Sequence, residues 1–170
     1  MVSMTYIGLD LDGTILNYNA HNTEIRTNPA LLAMLPRHAD VVIISNQGGL
    51  PFGRITAEQV VKRLTVARRF LEDGGHKLLW SYFSTYHPQA QRRDIFNAAR
   101  RLRHTLMRDL FKRGIMGYGQ WSIFTTARSR KPEPYMLKLT EIEAYYGDSP
   151  EDEQAAKAAG VPFVSVPRFE

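Results

Sequence analysis

The sequence predicts an α/β fold: a parallel sheet covered by helices on both faces. Two observations predict it. Short apolar runs, rich in β-branched residues, alternate along the chain with segments of helical periodicity. The runs end in polar, glycine-bearing turns at Asp10–Thr14, Ser45–Gly49 and Gly147–Asp148, and parallel α/β sheets gather their chemistry at the carboxyl ends of strands.

The elements follow in order. Tyr6 to Leu11 is an apolar run bounded by Gly13, hence a buried strand running into a turn. Pro29 to Leu35 is a short helix. Asp40 to Ser45 is a second strand, favoured by Val41, Val42, Ile43 and Ile44. Thr56 caps a helix from Ala57, with Val60, Val61, Leu64, Ala67 and Leu71 on one stripe and Gly74-Gly75 as its stop. Leu78 to Thr85 and Trp121 to Thr126 are both strand-like. One is expected as the third core strand, the other in an insertion. Between them a long helix is expected from Pro88 to Gly114, with Ile95, Ala99, Leu102, Leu106 and Leu110 on one face. A further helix is predicted from Pro134 to Ile142. Ala144 to Gly147 leads into Asp148, a helix runs from Pro150 to Ala159 with Gly160 as its stop, and Val161 to Val166 is a last strand.

Composition narrows the function. The 170 residues suit one domain with a real core. The absence of cysteine excludes disulfides, a thiolate zinc site and a cysteine nucleophile. No apolar run reaches the ~18–20 residues of a membrane span, and the first residues lack the pattern of a signal peptide, so a cytoplasmic protein with no membrane partner is expected. The formal charge of +5 hints at an anionic partner.

The chemistry-bearing residues cluster at the strand ends. Asp10 and Asp12 flank Leu11 before Gly13, where a turn lets two carboxylates diverge around one reacting centre. One could attack a phosphorus while the other moves a proton; alone, the pair also fits a capped Asp-Gly turn. Ser45 and Asn46 offer a hydroxyl and an amide to phosphate oxygens. Lys131 could neutralise phosphate charge. Asp148 and Asp152 place acids at a strand end and in the first turn of the next helix, where a cation is favoured.

These four segments, DLDGT at Asp10 to Thr14, SNQ at Ser45 to Gln47, RKP at Arg130 to Pro132 and GDSPED at Gly147 to Asp152, resemble the haloacid dehalogenase-like (HAD) hydrolase superfamily. The resemblance implies a Rossmann-like α/β/α core and Mg²⁺-dependent phosphoryl transfer. It implies Asp10 as nucleophile, Asp12 as general acid and then base, and Ser45 and Lys131 as holders of the phosphate. Mg²⁺ would be ligated by Asp10, the backbone carbonyl of Asp12 and Asp148, with Asp152 in support. An acid/base at position 12 favours a phosphatase.

Substrate is read from the insertions and the charge. The roughly 25 residues between Thr14 and Asp40 leave no room for a helical cap beside the core helix. The surplus between Asn46 and Lys131 is expected to form a modest basic helical insertion around residues 88–118, a partial lid on a nearly capless core. SNQ and the following Gly48 to Arg54 resemble the branch holding polynucleotide 3′-phosphatases, histidinol-phosphate phosphatases and heptose-bisphosphate phosphatases. The zinc loop of the latter two needs cysteines this chain lacks, and His87 is read as a strand-end or core histidine. Residues 54–113 hold 14 Lys/Arg against 5 Asp/Glu, while the rest holds 8 against 12. Arg93, Arg100, Arg101, Arg108 and Lys112, with His104, fall on the helix face opposite Leu102. Phe96, Phe111 and Tyr118 could stack bases, though helical Phe is more often core. The expected partner is a phosphorylated substrate, with a polynucleotide 3′-phosphate end in the lead. Gln47, Gly48 and Arg54 join Asn46 and the helix arginines as binding candidates. The alternatives are a phosphatase for a small metabolite, or a non-catalytic nucleic-acid- or protein-binding module on the same fold.

Overall fold

The computed structural model describes residues 6–19, 24–113, 120–167 and 169. Tyr118 and His21 lie outside them, as do the side chains of Leu110, Phe111 and Lys112. Six strands form one parallel sheet. In chain order these are β1 (Tyr6–Leu9), β4 (Asp40–Asn46), β5 (Lys77–Ser84), β6 (Gln120–Phe124), β7 (Ala144–Gly147) and β8 (Phe163–Ser165). Their spatial order is β6-β5-β4-β1-β7-β8. The remaining strands, β2 (Leu16–Tyr18) and β3 (Ile25–Thr27), pair antiparallel as a separate hairpin.

The alternation along β4 shows why both sheet faces are dry. Val41 and Ile43 join a core with Ile7, Leu9 and Phe83, covered by α2 (Ala57–Asp73) and α3 (Arg92–Arg113). Val42 and Ile44 point the other way, into a core with Tyr82, Met136 and Tyr145, covered by α4 (Pro150–Ala159). The short α1 (Pro29–Met34) buries Leu31 in the first core. This is the three-layer α/β/α arrangement expected from the sequence.

Three expectations are corrected. Both segments between which the sequence left a choice are strands of the one sheet: β5 and β6 are parallel neighbours, and α3 is the helix between them. A parallel pair needs such a crossover. The helix expected from Pro134 to Ile142 is only a 3₁₀ turn at Met136–Lys138. Beyond the turn, Thr140 is tied to the Tyr82 hydroxyl at 2.7 Å, and the Glu143 N–H donates to Tyr6, drawing the chain into β7. The long helix starts at Arg92, not Pro88: the chain first makes a turn at 87–90, where the Gln89 N–H donates to His87 Nδ1 and the Ala90 N–H to the His87 carbonyl, each at 3.1 Å. The hairpin of three-residue strands escapes a periodicity reading altogether.

His76 locks the entry to β5 against the start of β4. Its Nδ1 accepts the Ala39 N–H at 3.1 Å. Burial holds this imidazole below its ordinary value of 6.5, with His38 adding to the effect. The fold therefore favours the neutral ring. Stability is full above the unfolded value and declines as pH falls through 6.5 toward the lowered folded value. The melting temperature should drop between about pH 7.5 and about pH 5.5, and His76→Asn, which keeps an acceptor but cannot charge, should reduce that drop. An unchanged drop would remove His76 from the account.

Candidate active site

The sheet order places the ends of β1, β4 and β7 side by side, and the predicted acids and Lys131 converge there. Asp10 follows β1 and stays in register, its N–H donating to the Tyr146 carbonyl at 3.0 Å. The chain then turns at Gly13, with φ of +86°. A side chain there would be strained, and its Cβ would overlap the Asp148 carboxylate. The turn lets Asp10 and Asp12 point apart. Thr14, on its far side, reaches back to Asp10 at 3.4 Å and Asp148 at 3.3 Å.

Lys131 is the centre. Its ammonium, 3% exposed, lies 3.0 Å from Asp10 Oδ1, 2.6 Å from Asp152 Oδ1, 2.7 Å from the Tyr145 hydroxyl and 2.9 Å from the Ile44 carbonyl. Burial by itself would discharge the lysine, but the two carboxylates hold it above its ordinary value. Asp152 is held below the carboxylate range: burial pushes it up and Lys131 outweighs that. Its other oxygen closes the capping box of α4, accepting from the Ser149 N–H at 3.3 Å, and also accepts from Ser149 Oγ at 2.9 Å. Asn46 clamps the backbone of Lys131 both ways, donating to its carbonyl and accepting its N–H, each at 3.0 Å. The amide expected to meet phosphate thus positions the lysine.

Asp12 has different company. Gln47 Nε2 donates to its Oδ2 at 3.0 Å and to Ser45 Oγ at 2.9 Å. Ser45 therefore accepts from Gln47 and keeps its own proton to donate into the pocket. Arg63, from α2, lies 3.5 Å from Asp12 Oδ1. Burial raises Asp12 above the usual carboxylate value, with Arg63 and Gln47 pulling against it. Burial also pushes Asp10 up, to about 8, with Lys131 opposing and Asp152 and Asp12 adding to the rise.

The acids suit a divalent cation. One oxygen from each of Asp10, Asp148 and Asp152 lies within 4.8 Å of the others. Asp152 gives one oxygen to Lys131 and the other to the start of α4, whereas Asp10 gives Oδ1 to Lys131 and has Oδ2 beside Thr14. Hard oxygen donors match Mg²⁺ or Ca²⁺.

A cavity of about 280 Å³ is lined by Asp10, Asp12, Ser45, Asn46, Lys131 and Asp148, with Arg130 and Glu151 also on its wall. Gly48 packs against Arg130 and the Tyr86 carbonyl, and Arg54 stacks on Phe52 with 4.6 Å to the ring centre. The helix arginines are elsewhere. Arg93 and Arg100 are exposed, and Arg101 and Arg108 flank a groove between α2 and α3, where Arg108 pairs with Glu58 at 3.5 Å. None of the four lines the acidic cavity. The sequence reading missed Arg63 and Tyr145. Arg63 had a signal: it lies three residues from Val60 and four from Ala67, a charge on a buried stripe. Tyr145 reads as one more core aromatic.

No protein-family model and no curated protein matches the chain. Solved structures do. A Mesorhizobium loti protein provisionally assigned as a HAD-like phosphatase superposes with a TM-score of 0.59 at 19% identity, over 93% of this chain and 69% of that one. D,D-heptose 1,7-bisphosphate phosphatase from B. bronchiseptica, complexed with magnesium and phosphate, is a looser likeness. Its TM-score is 0.41 at 22% identity, over 94% of this chain and 79% of that one. At such identities the likeness is one of fold: the chain has the HAD-like α/β fold.

Lys131→Met would leave Asp10 and Asp152 facing each other without a cation. Urea unfolding should show a loss of about 3–5 kcal/mol, the cost of orphaning a buried charge. A loss below about 1 kcal/mol would mean the ammonium is not central to the fold.

Proposed function

We propose that the chain is a phosphatase that hydrolyses a phosphate monoester through Asp10. The observation that carries this reading is the split between two neighbouring carboxylates: Asp10 meets Lys131 and lies beside Asp148, while Asp12 faces Gln47 and Arg63. Environments that differ over one turn suit one group to attack and the other to move protons.

The steps balance. An Asp10 oxygen forms a bond to phosphorus as the ester P–O bond breaks, and Asp12 gives its proton to the departing oxygen. The raised value of Asp12 fits a group that begins protonated. The Asp12 carboxylate then takes a proton from water, whose oxygen attacks the aspartyl-phosphate, releasing inorganic phosphate and restoring Asp10. Ser45 donates its free proton to a phosphoryl oxygen, and Lys131 offsets the repulsion between two anions. A divalent cation on Asp10 and Asp148, with the Asp12 carbonyl that the family resemblance adds, would supply further neutralisation of phosphoryl charge.

For substrate, we infer a polynucleotide 3′-phosphate end. Support comes from the basic balance of residues 54–113 and from the exposed Arg93, Arg100, Arg101 and Arg108 on α3. A row of guanidinium groups suits a phosphodiester backbone. Their absence from the cavity wall means they would hold the strand away from the reacting end.

The test is a panel of 3′-phosphorylated oligonucleotides, nucleotides, sugar phosphates and an aryl phosphate, with Mg²⁺ or with chelator. Hydrolysis should need the metal, and Asp10→Asn should lose at least about 10³-fold in turnover. Arg100→Ala with Arg101→Ala should lower kcat/KM several-fold on oligonucleotides and leave the aryl phosphate unaffected. Turnover of metabolites alone would favour the small-molecule reading. Salt-sensitive oligonucleotide binding without any turnover would favour a binding module.

A further inference from the structure

Arg63 is buried in α2, 2% exposed. A guanidinium taken out of water needs partners. Two are in place. Asp12 Oδ1 lies 3.5 Å away, and the guanidinium lies over the Tyr18 ring, 3.6 Å from its centre. Tyr18 belongs to β2 of the hairpin, whose position is set by side-chain amides: Asn28 donates to the Thr14 carbonyl at 3.1 Å, and Asn17 to the Phe169 carbonyl at 2.9 Å. Asp12 therefore meets a different element at each oxygen: Oδ2 is hydrogen-bonded, and Oδ1, which accepts no hydrogen bond among the described residues, has an ion pair. Gln47, just after β4, takes Oδ2, and Arg63 of α2 faces Oδ1. The Asp12 side chain remains 24% exposed toward the cavity, whereas that of Arg63 is 3% exposed. Arg63 is too enclosed to touch a substrate, so its influence runs through Asp12.

We propose that Arg63 is a positioning residue: clamped under Tyr18, it orients the Asp12 carboxyl for proton transfer to the leaving oxygen. This rests on the phosphatase reading above. A conformational constraint of this kind is worth much, because misplacing a reacting group by about 1 Å can cost ~10²-fold.

The experiment compares two substrates through kcat/KM, which counts only the steps up to departure of the leaving group. An aryl phosphate has a good leaving group and needs little proton donation. An alkyl phosphate has a poor one and depends on it. In Arg63→Met the alkyl value should fall ~30–100-fold while the aryl value falls no more than ~3-fold, with Arg63→Lys recovering part of the alkyl loss. Tyr18→Leu removes the clamp without orphaning a buried charge, and serves if Arg63→Met does not fold. It should show the same selective loss, ~3–10-fold. Equal losses on both substrates, or none on either, in a folded variant would overturn the positioning role and leave the phosphatase reading intact. A parent chain inactive on both substrates would overturn the phosphatase reading and this inference with it.

Discussion

The architecture of the strand-end cluster depends on one buried ammonium. Lys131 collects Asp10 from the end of β1, the Ile44 carbonyl from β4, Tyr145 from β7 and Asp152 from α4. Four acceptors exceed three N–H donors, so the contacts form a shared shell. Tyr145 helps by donating toward both the Ile44 carbonyl and Asp152. A lysine at this depth is stable only if its acids stay, and acids so buried are stable only if the lysine stays. The reciprocal clamp from Asn46 follows from this, because a charge that joins several elements must itself be fixed along the backbone.

The second carboxylate shows how a small sequence distance becomes a large chemical one. Asp12 is two residues from Asp10, yet the turn at Gly13 hands it to another set of neighbours. Gln47 joins Asp12 to Ser45, and α2 brings its own cation. Neither carboxylate shares a direct partner with the other. Their direct partners are thereby separately adjustable, while the charges still act on each other: Asp12 adds to the rise in Asp10.

Much of this is legible in the sequence, for physical reasons that differ by element. Asp10, Asp12, Ser45 and Asp148 are legible because strand-end chemistry lies next to local signals, an apolar run followed by turn and polar residues, and Lys131 is legible from Arg130-Lys131-Pro132. The alternating faces of β4 follow from four consecutive apolar, β-branched residues. What stayed hidden depends on contacts between distant segments. Periodicity gave Asn46 a polar role but not its direction, which the Lys131 backbone decides 85 residues away. The three-residue strands of the hairpin are too short to show alternation. Arg63 broke the apolar stripe of α2, yet its partners come from β2 and the turn after β1. The strand character of Trp121–Thr126 was legible; its membership of the main sheet needed the partner β5.

Asp152 has no oxygen to spare. Oδ1 meets the lysine, while Oδ2 faces the start of α4, accepting from the N–H groups of Asp148 and Ser149 at 3.3 Å each as well as from the Ser149 hydroxyl. The phase of that helix and the place of the ammonium are therefore a single mechanical coordinate. A slide of one residue, about 1.5 Å along the axis with a turn of about 100°, would break the cap and the ion pair together. The helix behaves as a keyed shaft: it cannot creep at the end that carries the charge without losing both contacts.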